Sequence, residues 1–234
     1  EAATSKRMMI NFDRVGKRFE QHDALRDLSL NIDAGEMVFL TGHSGAGKST
    51  LLRLLMLLER PTSGVLTVNG RATKDISRRD IARYRRDFGI VFQDHQLLFD
   101  RSVFANVALP LEIAGFEQRD IERRVRAALD KVGLLQRERA NPAMLSGGEQ
   151  QRIGIARAVV ARPKILLADE PTGNLDPELS AEIMALFEAF NRVGVTVLVA
   201  SHDLALISRL KHRIITLKAG RLVGGAGGIG RPNE

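Results

Sequence analysis

A glycine-rich segment that ends in a lysine and two hydroxyl residues is the part of the sequence best suited to chemistry. Gly42-His-Ser-Gly-Ala-Gly-Lys-Ser-Thr50 fits the pattern G-x-x-x-x-G-K-[ST]. Glycines at these places let backbone N–H groups curl around phosphate oxygens, and a following helix directs its positive end at the same anion. Lys48 can reach the β- and γ-phosphates, and the Ser49 hydroxyl can ligate Mg²⁺. The predicted nucleotide-binding residues of this segment are Gly42, His43, Ser44, Gly45, Ala46, Gly47, Lys48, Ser49 and Thr50.

A second candidate lies where an apolar run ends in two acids. Ile165-Leu-Leu-Ala-Asp-Glu170 is typical of a buried strand, and α/β sheets bind ligands at the carboxyl ends of their strands. Asp169 is suited to hold Mg²⁺ through its water shell, because Mg²⁺ binds few carboxylates and keeps several waters. Glu170 is suited to orient and polarise an attacking water. Many apolar strands end in an acid, so this pattern alone is weak evidence for a site. It becomes strong evidence in a chain that also has the phosphate-binding segment.

A third segment, Leu145-Ser-Gly-Gly-Glu-Gln-Gln-Arg152, offers a second anion site. Ser146 and the N–H groups of Gly147 and Gly148 precede a helix that we expect to start near Glu149, and helix N-termini attract anions. The alternative is an ordinary helix N-cap with glycines.

Taken together, the three segments resemble the ABC ATPase family, in which the third is the signature segment and lies shortly before the acidic strand. The resemblance covers about Met9 to Val223. It implies an α/β fold with a RecA-like P-loop core, an antiparallel β subdomain and an inserted α-helical subdomain. It also implies hydrolysis of ATP to ADP and phosphate with Mg²⁺, in a head-to-tail homodimer. The residues that would close the partner's nucleotide site are Ser146, Gly147, Gly148 and Glu149.

Other positions match the family pattern one at a time. Gln93 resembles the glutamine that senses Mg²⁺ and the attacking water, and His202 resembles the histidine that contacts the γ-phosphate. Asn174-Leu-Asp176 resembles the loop that crosses the dimer interface. Phe19 resembles the aromatic that stacks on adenine, although this position is often Tyr, and core packing is its alternative. The implied catalytic residues are Glu170, His202 and Gln93, and the implied Mg²⁺ ligands are Ser49, Gln93 and Asp169.

Within the family, Ala168-Asp-Glu-Pro-Thr-Gly-Asn-Leu-Asp176 resembles the branch that serves lipoprotein release, MacB-type efflux and cell division. His43, the run Asp94–Arg101 and the phrase Ala128–Leu135 favour the cell-division members. The resemblance then implies an integral membrane partner, contacted through a groove near Gln93, and control of cell-wall hydrolysis during bacterial division. It places the chain peripherally on the cytoplasmic face of the inner membrane. An ATPase of a lipoprotein-release or efflux system is the alternative.

The elements that must position these residues follow from hydrophobic periodicity. Strands are predicted at Met9–Val15, Leu28–Ile32, Met37–Leu40, Val65–Val68, Ile165–Ala168, Val195–Ala200, Arg213–Leu217 and Arg221–Val223. Helices are predicted at Leu51–Leu58, Arg119–Val132, Glu149–Ala161, Pro177–Arg192 and Asp203–Leu210. Because strands and helices alternate at both ends of the chain, we expect a parallel sheet.

The resemblance implies a single ABC domain over residues 8–224, and the helical middle of the chain is predicted to be an inserted subdomain at about 94–161. Residues 1–7 are interpreted as an expression remnant, and 225–234 as a flexible glycine-rich tail. The mostly apolar stretch from Val103 to Gly115 fits either the partner groove or burial in the helical subdomain.

Composition excludes several classes of protein. The chain has 234 residues, 44% of them apolar, and no cysteine, which rules out disulfides and thiolate metal sites. No apolar run approaches the roughly 20 residues that a spanning helix needs.

The net charge is +7, and Arg71–Asp87 has seven basic and three acidic residues, which is typical of a solvated face. Its one aromatic, Tyr84, is poor material for base stacking, so we expect no nucleic-acid partner. A nucleic-acid-associated ATPase remains the alternative of another class, and the signature segment disfavours a small-molecule kinase.

Overall fold

The computed structural model describes residues 7–223. The predicted remnant and tail therefore lie, Arg7 apart, outside the described residues. Within the described range the chain forms two compact units, one made of residues 7–85 and 191–223 and the other of residues 86–190.

Seven α-helices and ten strands are found between residues 7 and 223. The helices are α1 (Lys48–Leu55), α2 (Ile81–Arg85), α3 (Val103–Ile113), α4 (Gln118–Lys131), α5 (Gly147–Val159), α6 (Pro177–Arg192) and α7 (Leu204–Arg209). The strands are β1 (Met8–Phe19), β2 (His22–Asp33), β3 (Met37–Thr41), β4 (Ser63–Val68), β5 (Arg71–Ala72), β6 (Phe88–Val91), β7 (Ile165–Asp169), β8 (Thr196–Ala200), β9 (Arg213–Lys218) and β10 (Arg221–Leu222).

The first unit contains an antiparallel sheet in the order β2-β1-β4-β5. In β2 the apolar residues Leu28, Leu30 and Ile32 are buried, while Ser29 and Asn31 between them are exposed. This alternation matches the period of a strand that buries one face, so the prediction made from the sequence is confirmed. The sheet corresponds to the antiparallel β subdomain that the family resemblance implies.

The same unit contains a parallel core around β3. β3 pairs in parallel with β8 on one edge and with β9 on the other. All five residues of β3 are buried, as expected for a central strand of a parallel sheet, in which both faces are covered. α1 follows it and buries its four leucines, at positions 51, 52, 54 and 55.

The second unit combines the parallel pair β6 and β7 with helices α3, α4, α5 and α6. α4 lies within one residue of its predicted bounds. α3 was not predicted as a helix, and it has Pro110 inside it. Its Val103, Val107 and Leu111 are buried while Ile113 is 75% exposed. Burial in the helical part is therefore the better description of most of the apolar stretch that contains α3.

No helix between residues 7 and 223 is both long enough and apolar enough to cross a membrane.

Candidate nucleotide-binding site

The phosphate-binding segment connects β3 to α1, between a strand and a helix as its chemistry requires. Lys48 opens α1, and its Nζ donates to the carbonyl oxygens of Gly42 at 2.5 Å and of His43 at 3.1 Å. These bonds hold the ammonium against the loop itself. The loop therefore carries a fixed positive charge at the place where the pattern predicts phosphate.

The loop is held in place by its neighbours in the first unit. Gly47 has a φ of 110°, and a Cβ on it would stand 2.8 Å from the Ala24 carbonyl oxygen, so only glycine fits. The Ala46 carbonyl accepts from the Gly220 N–H at 3.0 Å, and the Gly220 carbonyl accepts from the Arg26 N–H at 2.8 Å. β2 and the turn before β10 thus fix the backbone of the loop.

The start of α1 supplies donors to the same place. The first N–H groups of a helix have no acceptor within the helix, and here they belong to Lys48, Ser49 and Thr50. The side chains of His43, Ser44 and Ser49 are exposed. Ala46 and Gly47 are buried, and the Ala46 N–H donates to the His43 carbonyl within the loop at 3.0 Å.

His202 lies at the same edge of the parallel core as the phosphate-binding loop. Leu40 of β3 pairs with Ala200 of β8, and the N–H of Ser201 donates to the Leu40 carbonyl at 3.0 Å. The carboxyl ends of the two neighbouring strands therefore coincide. The loop follows one of them and the exposed His202 follows the other, so the structure brings these predicted site residues together.

Phe19 ends β1 and pairs with His22 across the turn into β2. The residue is 38% exposed, so Phe19 is not part of the core. The alternative of core packing is therefore not supported.

In the second unit the acidic strand and Gln93 share one edge. β6 and β7 pair in parallel, with Val91 opposite Ala168. Gln93 follows β6 by two residues, Asp169 is the last residue of β7, and Glu170 comes next. Glu170 has a φ of 48°, in the left-handed region that costs a residue with a side chain about 1 kcal/mol or more.

A buried polar network supports this edge, and sequence reasoning missed it. Gln151 of α5 is fully buried, and its Nε2 donates to the Pro171 carbonyl at 2.6 Å. Its Oε1 lies 2.6 Å from His95 Nδ1. Because the amide oxygen can only accept, the proton of this bond is on Nδ1. One signal in the sequence pointed to the network, namely a polar side chain on the apolar face of the predicted helix.

Arg157 of α5 stabilises the loop that contains His95. His95 and Gln96 have positive φ values of 58° and 46°, and their carbonyls accept from the Arg157 guanidinium, both at 2.8 Å. Burial lowers the pKa of the Arg157 guanidinium. The guanidinium of Arg157 thus stabilises the loop that follows Gln93.

The signature segment forms a capping box. Ser146 Oγ accepts from the Glu149 N–H at 3.2 Å, and Glu149 Oε1 accepts from the Ser146 N–H at 3.1 Å. The second bond is the main reason why the pKa of Glu149 is lowered. α5 begins at Gly147, two residues before its predicted start, because Ser146 occupies the cap. Ser146 is therefore the N-cap of α5, and Ser146 and Gly147 are exposed at the helix end, as an anion role would also require.

The side chains predicted to hold Mg²⁺ are of chemical types that bind this ion. Residues 7–223 contain no group of three or more His, Cys, Asp or Glu side chains placed to hold a metal. Ser49, Gln93 and Asp169 instead offer a hydroxyl, an amide and one carboxylate. Mg²⁺ prefers such hard oxygen ligands and keeps most of its waters.

A family profile described as "ABC transporter" matches residues 25–173. The match includes the phosphate-binding loop, the signature segment and the acidic strand. The chain belongs to the ABC transporter family. It is an ATPase of the ABC type, and its fold is that of the ABC nucleotide-binding cassette.

Individual relatives within the ABC family agree with this assignment. The chain is 56% identical over 220 residues to "Cell division ATP-binding protein FtsE" of Escherichia coli (strain K12), covering 94% of this chain and 99% of that one. It is similar to the structure of cbiO1 from Clostridium perfringens, part of the ABC transporter complex cbiONQ (TM-score 0.87, 31% identity, 93% and 88% coverage). It is also similar to a dimeric post-hydrolysis state of the ATP-binding cassette MJ0796 bound to ADP and Pi (TM-score 0.81, 36% identity, 92% and 96% coverage).

Proposed function

We propose that this chain binds and hydrolyses MgATP as a head-to-tail homodimer and drives an FtsX-like integral membrane protein that controls cell-wall hydrolysis during bacterial division. The main support for this proposal is 56% identity over 94% of the chain to a protein named for cell division. The proposed location is the cytoplasmic face of the inner membrane, where the chain is held peripherally by that partner.

The phosphate-binding loop would hold the triphosphate. Lys48, whose ammonium already rests 2.5 Å from a loop carbonyl, would exchange that contact for β- and γ-phosphate oxygens. His202 follows the neighbouring strand at the same edge and would contact the γ-phosphate. Phe19, exposed at the end of β1, would stack on adenine.

The acidic edge of the second unit would position the water that attacks the nucleotide. Glu170 would orient and polarise the water that attacks the γ-phosphate, and Gln93 would contact the same water. Ser49, Gln93 and Asp169 would hold Mg²⁺, which would neutralise charge on the phosphate oxygens. The position of Glu170 directly after the carboxyl end of β7 supports a functional role for this residue.

The signature segment would act on the nucleotide of the partner subunit. The exposed Ser146 hydroxyl and the first N–H groups of α5 would donate to the γ-phosphate bound there. Asn174-Leu-Asp176 would cross the dimer interface. Hydrolysis would remove the group that both subunits hold, so the dimer would open and pass the motion to the membrane protein through a surface near Gln93.

The membrane partner tests the cell-division part of the proposal. A tagged Glu170→Gln variant is to be purified with ATP from detergent-solubilised membranes of its own bacterium, and the co-purifying membrane protein identified by mass spectrometry. We expect an FtsX-like protein. Recovery of a lipoprotein-release or efflux permease in its place would overturn the division role and leave the ATPase assignment standing.

A further inference from the structure

The ring of Phe19 carries a cation on one face. Lys17 Nζ lies over it, 4.8 Å from the ring centroid. The two residues are two positions apart on β1, so they share one face of the strand. The Lys17 side chain is only 13% exposed, and Phe19, taken as a whole residue, is 38% exposed. Lys17 therefore covers one side of a ring whose remaining surface is open.

Lys17 is firmly anchored in this position. Its Nζ donates to the Arg60 carbonyl at 3.0 Å and pairs with Glu59 Oε2 at 3.0 Å. Glu59 is also paired with Arg53, at 3.3 Å. The hydrogen bond from Lys17 is the main reason why the pKa of Glu59 is lowered. The ammonium is thus held by a carbonyl and a carboxylate, and its place over the ring is fixed.

The anchors belong to the same stretch of chain as the phosphate-binding loop. α1 begins at Lys48 on that loop and ends at Leu55, and Glu59 and Arg60 follow it closely. A single segment therefore provides the phosphate contacts at one end and the support for Lys17 at the other.

The β1–β2 hairpin also connects Phe19 to the loop. Lys17 pairs with Leu25, and Phe19 pairs with His22 three residues earlier on β2. A Cβ on Gly47 of the loop would stand 2.8 Å from Leu25 Cδ2. The register shifts between these pairs, and on β1 only two residues separate the position opposite Leu25 from Phe19, which is about 7 Å at about 3.3 Å per strand residue. The ring is thus placed to receive the base of a nucleotide whose phosphates lie in the loop.

We propose that Lys17 is a positioning residue for the base: its ammonium holds the Phe19 ring from one face so that adenine stacks on the other. The inference rests on the proposed role of Phe19 in the nucleotide site. Lys17 does not touch the nucleotide, and it acts by fixing the ring before binding.

Two physical effects follow from this arrangement. A ring that is already immobilised loses less conformational freedom when the base binds, which is worth about two- to tenfold in affinity for one side chain. The ammonium also draws the π electrons of the ring toward itself. This lowers the repulsion between the ring and the π cloud of a base on the opposite face.

The absence of tryptophan from the 234-residue sequence allows a direct test. Phe19→Trp introduces a single tryptophan at the proposed base site, and its fluorescence can be excited selectively over that of Tyr84. The full chain with this change is titrated with MgATP and, separately, with inorganic tripolyphosphate, which has phosphates and no base. Adding Lys17→Met should raise the Kd for MgATP about two- to tenfold and leave the Kd for tripolyphosphate unchanged. Lys17→Arg, which restores a cation over the ring, should restore the affinity for MgATP.

Matched variants separate this effect from general damage. In the otherwise natural chain, Lys17→Met should raise KM for ATP and leave kcat unchanged. Arg124→Met removes the cation from the ring of Phe116, where the guanidinium lies 4.7 Å from the centroid, and should change neither constant. An equal loss of affinity for MgATP and tripolyphosphate in Lys17→Met would show a merely structural role and overturn the inference.

Phe19→Ala distinguishes failure of the inference from failure of its basis. If Phe19→Ala weakens MgATP binding and Lys17→Met does not, the role of Lys17 is wrong and the base site stands. If Phe19→Ala itself leaves MgATP binding unchanged, the assignment of Phe19 to adenine is wrong and the inference falls with it. In the Phe19→Ala background, Lys17→Met should have no further effect on the Kd for MgATP.

Discussion

Gly173 and Gln93 lie so close that a Cβ on residue 173 would stand 2.7 Å from Gln93 Nε2. The backbone of the loop after Glu170 therefore sets where the Gln93 amide can lie. The N–H of Gly173 also donates to the Glu170 carbonyl at 3.1 Å. The position of Gln93 is thus coupled to the loop that contains the proposed catalytic glutamate.

Gly173→Ala should displace Gln93 and slow ATP hydrolysis by about tenfold or more, since misplacement of a catalytic group by 1 Å can cost two orders of magnitude. ATP affinity should fall less than the rate, because Gln93 is only one of the proposed Mg²⁺ ligands and the phosphate-binding loop is untouched. Steady-state ATPase kinetics and ATP titration measure the two effects. Gly154→Ala is the matched control, because a Cβ there meets nothing closer than 3.8 Å. Equal kcat values for the two variants would contradict the coupling.

Glu170→Gln should lower kcat by a factor on the order of 10² to 10⁴, the range for loss of a general base. ATP binding should persist, and the ATP-bound dimer should accumulate because it no longer hydrolyses its nucleotide. Single-turnover kinetics and size-exclusion chromatography with MgATP measure these outcomes. The exposed Glu178 of α6 provides the control Glu178→Gln, which should behave as the natural chain. Unimpaired turnover in Glu170→Gln would remove this residue from catalysis.

Lys48→Ala should abolish tight ATP binding, because it removes the cation that rests against the loop carbonyls of Gly42 and His43. Isothermal titration with MgATP measures the loss. Lys74→Ala changes a lysine that is exposed and should leave the affinity intact. Retained affinity in Lys48→Ala would contradict the phosphate-binding role of the loop.

Ser146→Asp separates the two roles of the signature serine. Asp caps a helix as well as Ser does, so the thermal midpoint should stay within about 2 °C of that of the natural chain. Its negative charge should nevertheless repel a γ-phosphate, and ATP-induced dimerisation and hydrolysis should fall at least about tenfold. Ser102→Asp is the control, because Ser102 caps α3 in the same way with an accepted bond of 3.1 Å. Full activity of Ser146→Asp would show that Ser146 acts only as a helix cap and does not contact the γ-phosphate.

The capping box predicts a pH dependence of stability. The pKa of Glu149 is lowered in the folded chain, so its ionised form contributes stability above the usual carboxyl pKa of about 4.3. That contribution is lost as the pH falls through the lowered folded value. Glu149→Gln keeps a side-chain acceptor and loses the charge.

Urea unfolding at pH 7 and at lower pH measures this effect. The free energy of unfolding should favour the natural chain over Glu149→Gln at pH 7, and the difference should shrink on acidification. A difference that stays constant with pH would show that the carboxylate charge contributes nothing.

The sequence by itself determined the local chemistry of this protein. The phosphate-binding segment, the acidic strand end and the capped glycine pair could be identified because each depends on residue types at fixed short spacing. The strands around them followed from apolar runs and alternation, as at Leu28–Ile32 and Met37–Leu40. α3 was missed because almost all of its residues are apolar, so no polar face reveals the helical period. It also contains Pro110, which is unfavourable inside a helix.

Only the tertiary structure decided how distant residues support these segments. The cation of Lys17 over Phe19 depends on Glu59 and Arg60, some 40 positions away. The fully buried Gln151 bonds to His95 and Pro171 from α5. Such contacts depend on strand register and helix packing, which bring together residues whose separation in the chain has no fixed period. A sequence pattern can therefore identify the group that performs the chemistry. The groups that hold it in place are known only from the tertiary structure.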